Sequence, residues 1–390
     1  MPRRPLLVLL PLLGACAQLD PKDQFSGIYF VKLEAEPAEV VSIARDLATE
    51  FGFEPIHIYD SANEGFSVRL PHGQVPNEIE RLTVVESVTR DERQELAPPD
   101  EGTPITVGAD EVPEGLSRIG APYGAVLDWS AVHVAVVDTG IDAAHADLNV
   151  VGEADLVCAN TGDCAPGRDP QGHGTHVAGT IGAIADGSGV VGVAPGVPLH
   201  AVRVLGSDGS GYLTDILAGL EYVLDNPEIR VVNLSLGGPA GSGMDREMRE
   251  ALDRLEAAGV VVAVAAGNEE QNTDNVTPAG LDRGIVVSAY DAAGGDNGFA
   301  WFSNFGDAVD IAAPGVAIVS TWPGGEYAAL DGTSMATPHV AGAAAVMLAL
   351  DPSLGPAAVR NRMVDAGENG YSGQGGRHPE PLLDFAALAD

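Results

Sequence analysis

The chain has 390 residues, 45% of them hydrophobic, enough to build one large domain and a smaller companion. Against 20 Lys and Arg stand 56 Asp and Glu, a formal net charge of -36. Such a surface repels phosphate backbones and anionic headgroups and excludes nucleic acid as a partner.

Lys22 and Lys32 are the only lysines, a bias that GC-rich codon usage or adaptation to saline surroundings would produce. At the N-terminus, Arg3 and Arg4 precede an apolar run from Leu6 to Leu13 and then small residues. That is the pattern of an export signal over residues 1–19, too short to span a bilayer. Leu13-Gly14-Ala15-Cys16 also resembles a bacterial lipobox, whose cysteine is lipidated, although ordinary cleavage after Ala17 fits the same residues.

Residues 20–94 read as a small α+β unit. Strands are expected at Ile28–Leu33, Phe53–Tyr59, Gly65–Leu70 and Val84–Arg90, with a helix over Glu36–Phe51 and a short one near Pro76. This is a βαββαβ, ferredoxin-like arrangement. Residues 95–114 are rich in Pro, Glu, Asp and Gly, lack apolar periodicity and read as an exposed linker.

In residues 115–390, near-continuous apolar strands at Val132–Val137, Leu199–Leu205, Val231–Leu234, Val260–Ala265 and Ile285–Ser288 alternate with helical stretches. The helices are expected at Gly174–Ala185, Thr214–Leu224, Asp245–Ala258 and Ser334–Leu350. The alternation predicts an α/β fold, a doubly wound parallel sheet with helices on both faces. Cys158 and Cys164 lie close together in a polar loop, and an exported chain would join them in a local disulfide. Two thiols alone make a poor zinc site.

In an open parallel sheet, functional groups gather at the carboxyl ends of the strands. Asp138 ends a strand in Val-Val-Asp-Thr-Gly-Ile-Asp, His173 opens a helix in Gly-His-Gly-Thr-His-Val-Ala-Gly, and Ser334 opens another in Gly-Thr-Ser-Met-Ala-Thr-Pro-His-Val-Ala-Gly. A serine hydroxyl needs a base, and the base needs an acid to fix its tautomer. Taken singly, each residue is more simply a cap or turn former; their conjunction is what carries the signal.

The three blocks, in the order Asp, His, Ser, resemble the signature segments of the subtilisin family of serine peptidases, and residues 27–93 resemble that family's inhibitor-type propeptide. The resemblance implies a secreted endopeptidase made as a self-processing precursor, cut within 95–114, with Ser334 as nucleophile, His173 as base and Asp138 as its orienting acid. Asn268, in Ala-Ala-Gly-Asn-Glu, matches the family's oxyanion donor. Gly209, Ser210 and Gly211, with Ser235, Leu236 and Gly237, match its substrate-binding strands, and Ala265, Ala266 and Gly267 would line the first specificity pocket, where no acidic residue is evident.

The resemblance further implies no catalytic cofactor and a structural calcium held by Asp147, Asp186 and the carbonyls of Ile184, Ser188 and Val190. The implied partners are polypeptide substrates and the chain's own propeptide, acting as chaperone and inhibitor of a monomer. Location would be periplasmic, tethered to the outer membrane through Cys16 before maturation, or secreted. His176 and His339 read as packing residues, Asp142 as a turn acid, and His57, His72, His133, His145 and His200 carry no motif. The rival readings are a catalytically dead, peptide-binding homologue and an acid-active peptidase that uses carboxylates in place of histidine.

Overall fold

A computed structural model describes residues 27–70, 74–91, 93–95, 102–122, 127–241, 243–293, 298–369 and 376–386. The expected signal over 1–19 and the lipidation of Cys16 lie outside the described residues.

The larger unit is built on a seven-stranded, all-parallel sheet. Its order across the sheet is Ile311–Pro314, Ile285–Tyr290, Val261–Ala265, Ile229–Leu234, His133–Asp138, Leu199–Arg203 and Val150–Asp155. The central strands are runs of Val and Ala because both faces are covered. Alternate side chains divide accordingly. Val134 and Val136 pack under the helices His173–Gly182 and Thr333–Leu350, while Ala135 and Val137 pack under Leu213–Asp225 and Asp245–Ala257.

The helix Thr333–Leu350 is apolar enough by composition to cross a membrane, yet 83% of it is buried. It is the core helix of this layered fold, apolar all round because it is enclosed all round.

Residues 27–91 form a separate four-stranded antiparallel sheet, ordered Pro55–Tyr59, Gly65–Leu70, Gly27–Leu33, Val85–Asp91, against which the helix Pro37–Phe51 lays Val40, Ala44 and Leu47. Sequence reasoning located these elements within one or two residues. It missed the outer strands Val150–Asp155 and Ile311–Pro314 and the hairpin Ile318–Trp322 with Glu326–Leu330.

The expected linker is not uniformly exposed. Thr103–Pro104 adds a third strand beside Glu326–Leu330, and Glu114–Arg118 is a short helix that buries Leu116. Cys158 and Cys164 are joined in a disulfide beside Arg203, which is buried and paired with Asp155 and Asp163.

Candidate active site

Asp138 is the last residue of a central strand, and the strand's carboxyl end delivers its side chain to the first turn of His173–Gly182. His173 Nδ1 lies 2.8 and 2.9 Å from the two carboxylate oxygens, and both residues are buried. Asp138 Oδ1 also accepts the Thr139 N–H at 2.7 Å. A neutral imidazole bound this way donates through Nδ1 and leaves Nε2 free to accept a proton.

Behind the ring sits Asp169, which the sequence did not single out. It accepts the N–H of Gly172 at 2.7 Å and both the N–H and the hydroxyl of Thr175 at 2.8 Å, pinning the start of the histidine helix. Burial opposes a charge on His173, but the charge and hydrogen bond of Asp138, with the charge of Asp169, together raise it above the ordinary imidazole value.

Ser334 lies in the first turn of the core helix and faces the same cleft, of about 560 Å³, as His173 and Asn268. Pro338 in that helix has no N–H, so the Ser334 carbonyl lacks its usual partner four residues on. The Ser235 hydroxyl supplies the bond at 2.8 Å and is itself fixed by Asn233 Nδ2 at 2.8 Å.

Asn268 Oδ1 accepts the Thr333 N–H and hydroxyl, both at 2.9 Å. Because a backbone N–H can only donate, the amide orientation follows, and Nδ2 points into the cleft. Gly332, at φ +151°, lets the chain enter the serine helix beside this amide; a Cβ there would stand 3.6 Å from Asn268 Nδ2. Asn268 and Ser334 therefore line one cleft, where an amide donor of this kind is suited to a developing oxyanion.

Ser235, Leu236, Gly237, Ala265 and Gly267 line the cleft, whereas Ala266 packs in the core beneath it. Glu269 lines the cleft as well; its Oε2 is held by the Asn268 N–H at 3.0 Å and Asn304 Nδ2 at 2.7 Å. Next to the cleft, Leu205, Leu213, Ile216, Leu236 and Pro239 form a narrow apolar recess. Gly209 turns the chain into the edge strand Ser210–Tyr212, which pairs antiparallel with Arg93–Glu95 of the N-terminal unit.

That unit is seated on the helices behind this edge. Phe30, Tyr59 and Ala62 join the apolar cluster of Leu213–Asp225 and Asp245–Ala257. Asp91 accepts the N–H groups of Leu213 and Thr214 at the helix start, His57 Nε2 lies 2.9 Å from Asp215 Oδ1, and Glu221 receives the N–H groups of Asp60, Ser61 and Ala62. Burial, only partly offset by these bonds, pushes Asp91 up to about 6 and Glu221 up to about 7.

His176 and His339 are core residues. Nε2 of His176 faces the carbonyls of Ile318 and Ala328, Nδ1 of His339 faces that of Met335, and burial lowers the two to about 3 and about 4.

On the far side of the histidine helix, Asp147 meets the loop 184–190: its Oδ2 accepts the Val190 N–H at 3.1 Å and the Tyr327 hydroxyl at 3.2 Å, while its buried Oδ1 has no partner among the described residues. Asp186 raises the Asp147 carboxyl by its charge, the smallest part of a shift led by burial. Asp110, also missed from sequence, reaches the same loop and accepts the Gly187 N–H at 2.7 Å.

Residues 130–378 match the model of the subtilase family of peptidases. The chain belongs to the subtilase family. It is 45% identical over 276 residues to a subtilisin of Bacillus pumilus, covering 68% of this chain and 97% of that protein. It is also 45% identical to subtilisin E of Bacillus subtilis, with 68% and 70% covered. A solved cold-adapted subtilisin-like serine proteinase superposes with a TM-score of 0.61 at 33% identity, covering 70% of this chain and 97% of that one. This subtilase is a serine endopeptidase with the α/β fold of its relatives.

Proposed function

We propose that the chain is the precursor of an exported endopeptidase in which Ser334, His173 and Asp138 act as the triad. Ser334 Oγ bonds to the scissile carbonyl carbon as its proton passes to His173 Nε2. Asn268 Nδ2 and the Ser334 N–H then stabilise the oxyanion. As the C–N bond breaks, His173 returns the proton to the leaving amine, and water releases the acyl group by the same steps in reverse order. The observation that carries this reading is the carboxylate-held His173 opening onto the same cleft as Ser334 and Asn268.

Substrate would run as an extended strand between Gly209-Ser210-Gly211 and Ser235-Leu236-Gly237, its backbone giving affinity with little sequence demand. The strand Arg93–Glu95 supports this, since it occupies that edge now. An apolar side chain a few residues before the cut would fill the recess of Leu205, Leu213 and Ile216. Residues 20–94 act as chaperone and inhibitor, and self-cleavage falls between Glu95, on the substrate edge, and Gly102, just before the strand Thr103–Pro104 of the peptidase unit.

Asp147, Asp186 and the carbonyls of Ile184, Ser188 and Val190 would hold a structural calcium, with Asp110 completing the set. The unpartnered Asp147 Oδ1 fits that role, and an oxygen-only donor set suits calcium. Export by the leader, with or without a lipid on Cys16, completes the reading.

The test compares the full chain with Ser334→Ala during maturation. Wild type is expected to split between residues 95 and 102, and Ser334→Ala to persist at full length; normal processing of Ser334→Ala without added protease would overturn self-maturation.

A further inference from the structure

At the opposite end of the strand from Asp138, two histidines outside the catalytic cleft face each other. His133 opens one central strand and His200 is the second residue of its neighbour. The register places Ala135 beside His200, and His133, two residues earlier, shares that face of the sheet. His133 Nδ1 lies 2.9 Å from His200 Nε2, with ring centroids 5.2 Å apart.

On the other side of His133, its N–H donates to the Glu228 carbonyl at 3.0 Å, so the start of the third strand carries the Glu228 side chain to the same corner. The ligand atoms of His133, His200 and Glu228 all lie within 4.8 Å of one another.

We propose that His133, His200 and Glu228 form a binding site for a zinc-class divalent cation, separate from the catalytic cleft. Two imidazoles and one carboxylate, with a fourth position left for water, are a donor set for such an ion. The set is too small and too nitrogen-rich for calcium.

The Tyr222 hydroxyl lies 3.0 Å from His200 Nδ1. A proton held at Nδ1 by that partner leaves the Nε2 lone pair aimed at the site, the outer-shell device common to metal-binding histidines. Tetrahedral ligation at ordinary Zn–N lengths separates two nitrogens by roughly 3.3 Å, so the pair opens only a few tenths of an ångström to admit the ion.

The surroundings are shaped for the ring. Gly152, opposite His200 on the edge strand, is a position where a Cβ would stand 2.4 Å from His200 Nδ1.

The test is a Zn2+ titration against a chromogenic chelator, with excess Ca2+ to saturate oxygen-only sites. The full chain carries Ser334→Ala to prevent self-digestion. The parent is expected to bind Zn2+ at this site and to gain thermal stability from it, while His133→Gln, His200→Gln and Glu228→Gln each weaken binding at least about tenfold and abolish the gain. Glu228 is only partly buried, so its variant remains folded and informative even if a histidine variant is not. Parent-like affinity in Glu228→Gln, or in a folded His133→Gln, would overturn the three-ligand site.

Discussion

The Ser235 hydroxyl donates to the carbonyl of Ser334 at 2.8 Å, making the bond that Pro338 cannot. A proline one turn into a helix normally orphans a carbonyl, and here the orphan belongs to the proposed nucleophile, Ser334. The position of Ser334 is therefore set partly by Ser235, which lines the same cleft. Ser235→Ala is expected to lower kcat about tenfold with little change in KM, the cost of one buried hydrogen bond. Steady-state kinetics on a short peptide check this; an unchanged kcat would show that the bond positions nothing.

Asn268 is fixed by the same kind of economy. The Gly267 N–H donates to Thr333 Oγ1 at 3.1 Å, and that hydroxyl with the Thr333 N–H holds Asn268 Oδ1. Asn268→Ala is expected to reduce kcat by roughly 10²–10³, a magnitude known from a subtilisin. Thr333→Val, which keeps the N–H bond and loses the hydroxyl, should cost several-fold.

Catalytic pH dependence follows from the two carboxylates near His173. Both raise the imidazole, so the acid limb of kcat/KM is expected above the ordinary histidine value. Asp169→Asn removes one negative charge and should move that limb to lower pH while reducing kcat, because the start of the histidine helix loses acceptors. A limb that stays in place would show that Asp169 acts on structure alone.

Much of this site is legible in the sequence because strand ends and helix starts are local features: Asp138, His173 and Ser334 each sit where a periodic apolar run breaks. Asp169 and Glu269 were not legible. Asp169 lies in a polar turn where an acid reads as an ordinary helix-start cap, and Glu269 in a loop whose path is set by Asn304, distant in sequence. The outer strand Val150–Asp155 escaped notice for a similar reason. It is only half-buried, so its Gly, Glu and Asp carry no continuous apolar pattern. Asp110 became meaningful only once the chain had folded its expected linker against the loop 184–190.

Glu269 should influence which side chain is accepted next to the cut. Its carboxylate lines the cleft, though two hydrogen bonds share its charge. Glu269→Gln is expected to lower kcat/KM for substrates with Lys before the cut several-fold, leaving those with Leu nearly unchanged. Equal effects on both would place the carboxylate outside the specificity pocket.

Docking of the N-terminal unit should depend on pH through Asp91 and Glu221. Both carboxyls are raised, mainly by burial, to about 6 and about 7. The docked state therefore binds protons more tightly than the separated one. Docking is favoured in full below the ordinary carboxyl range and loses that contribution as pH rises through these values. After cleavage, release of the N-terminal unit is expected to accelerate between about pH 5 and pH 8, and Asp91→Asn should flatten the dependence. Release that slows with rising pH would reverse the assignment.

The most direct measurement is the mass of the mature enzyme after reaction with an organophosphorus fluoridate, followed by peptide mapping. One adduct, located on Ser334 and formed in step with loss of peptidase activity, is the expected result. An adduct on another serine, or full peptidase activity in Ser334→Ala, would contradict the account.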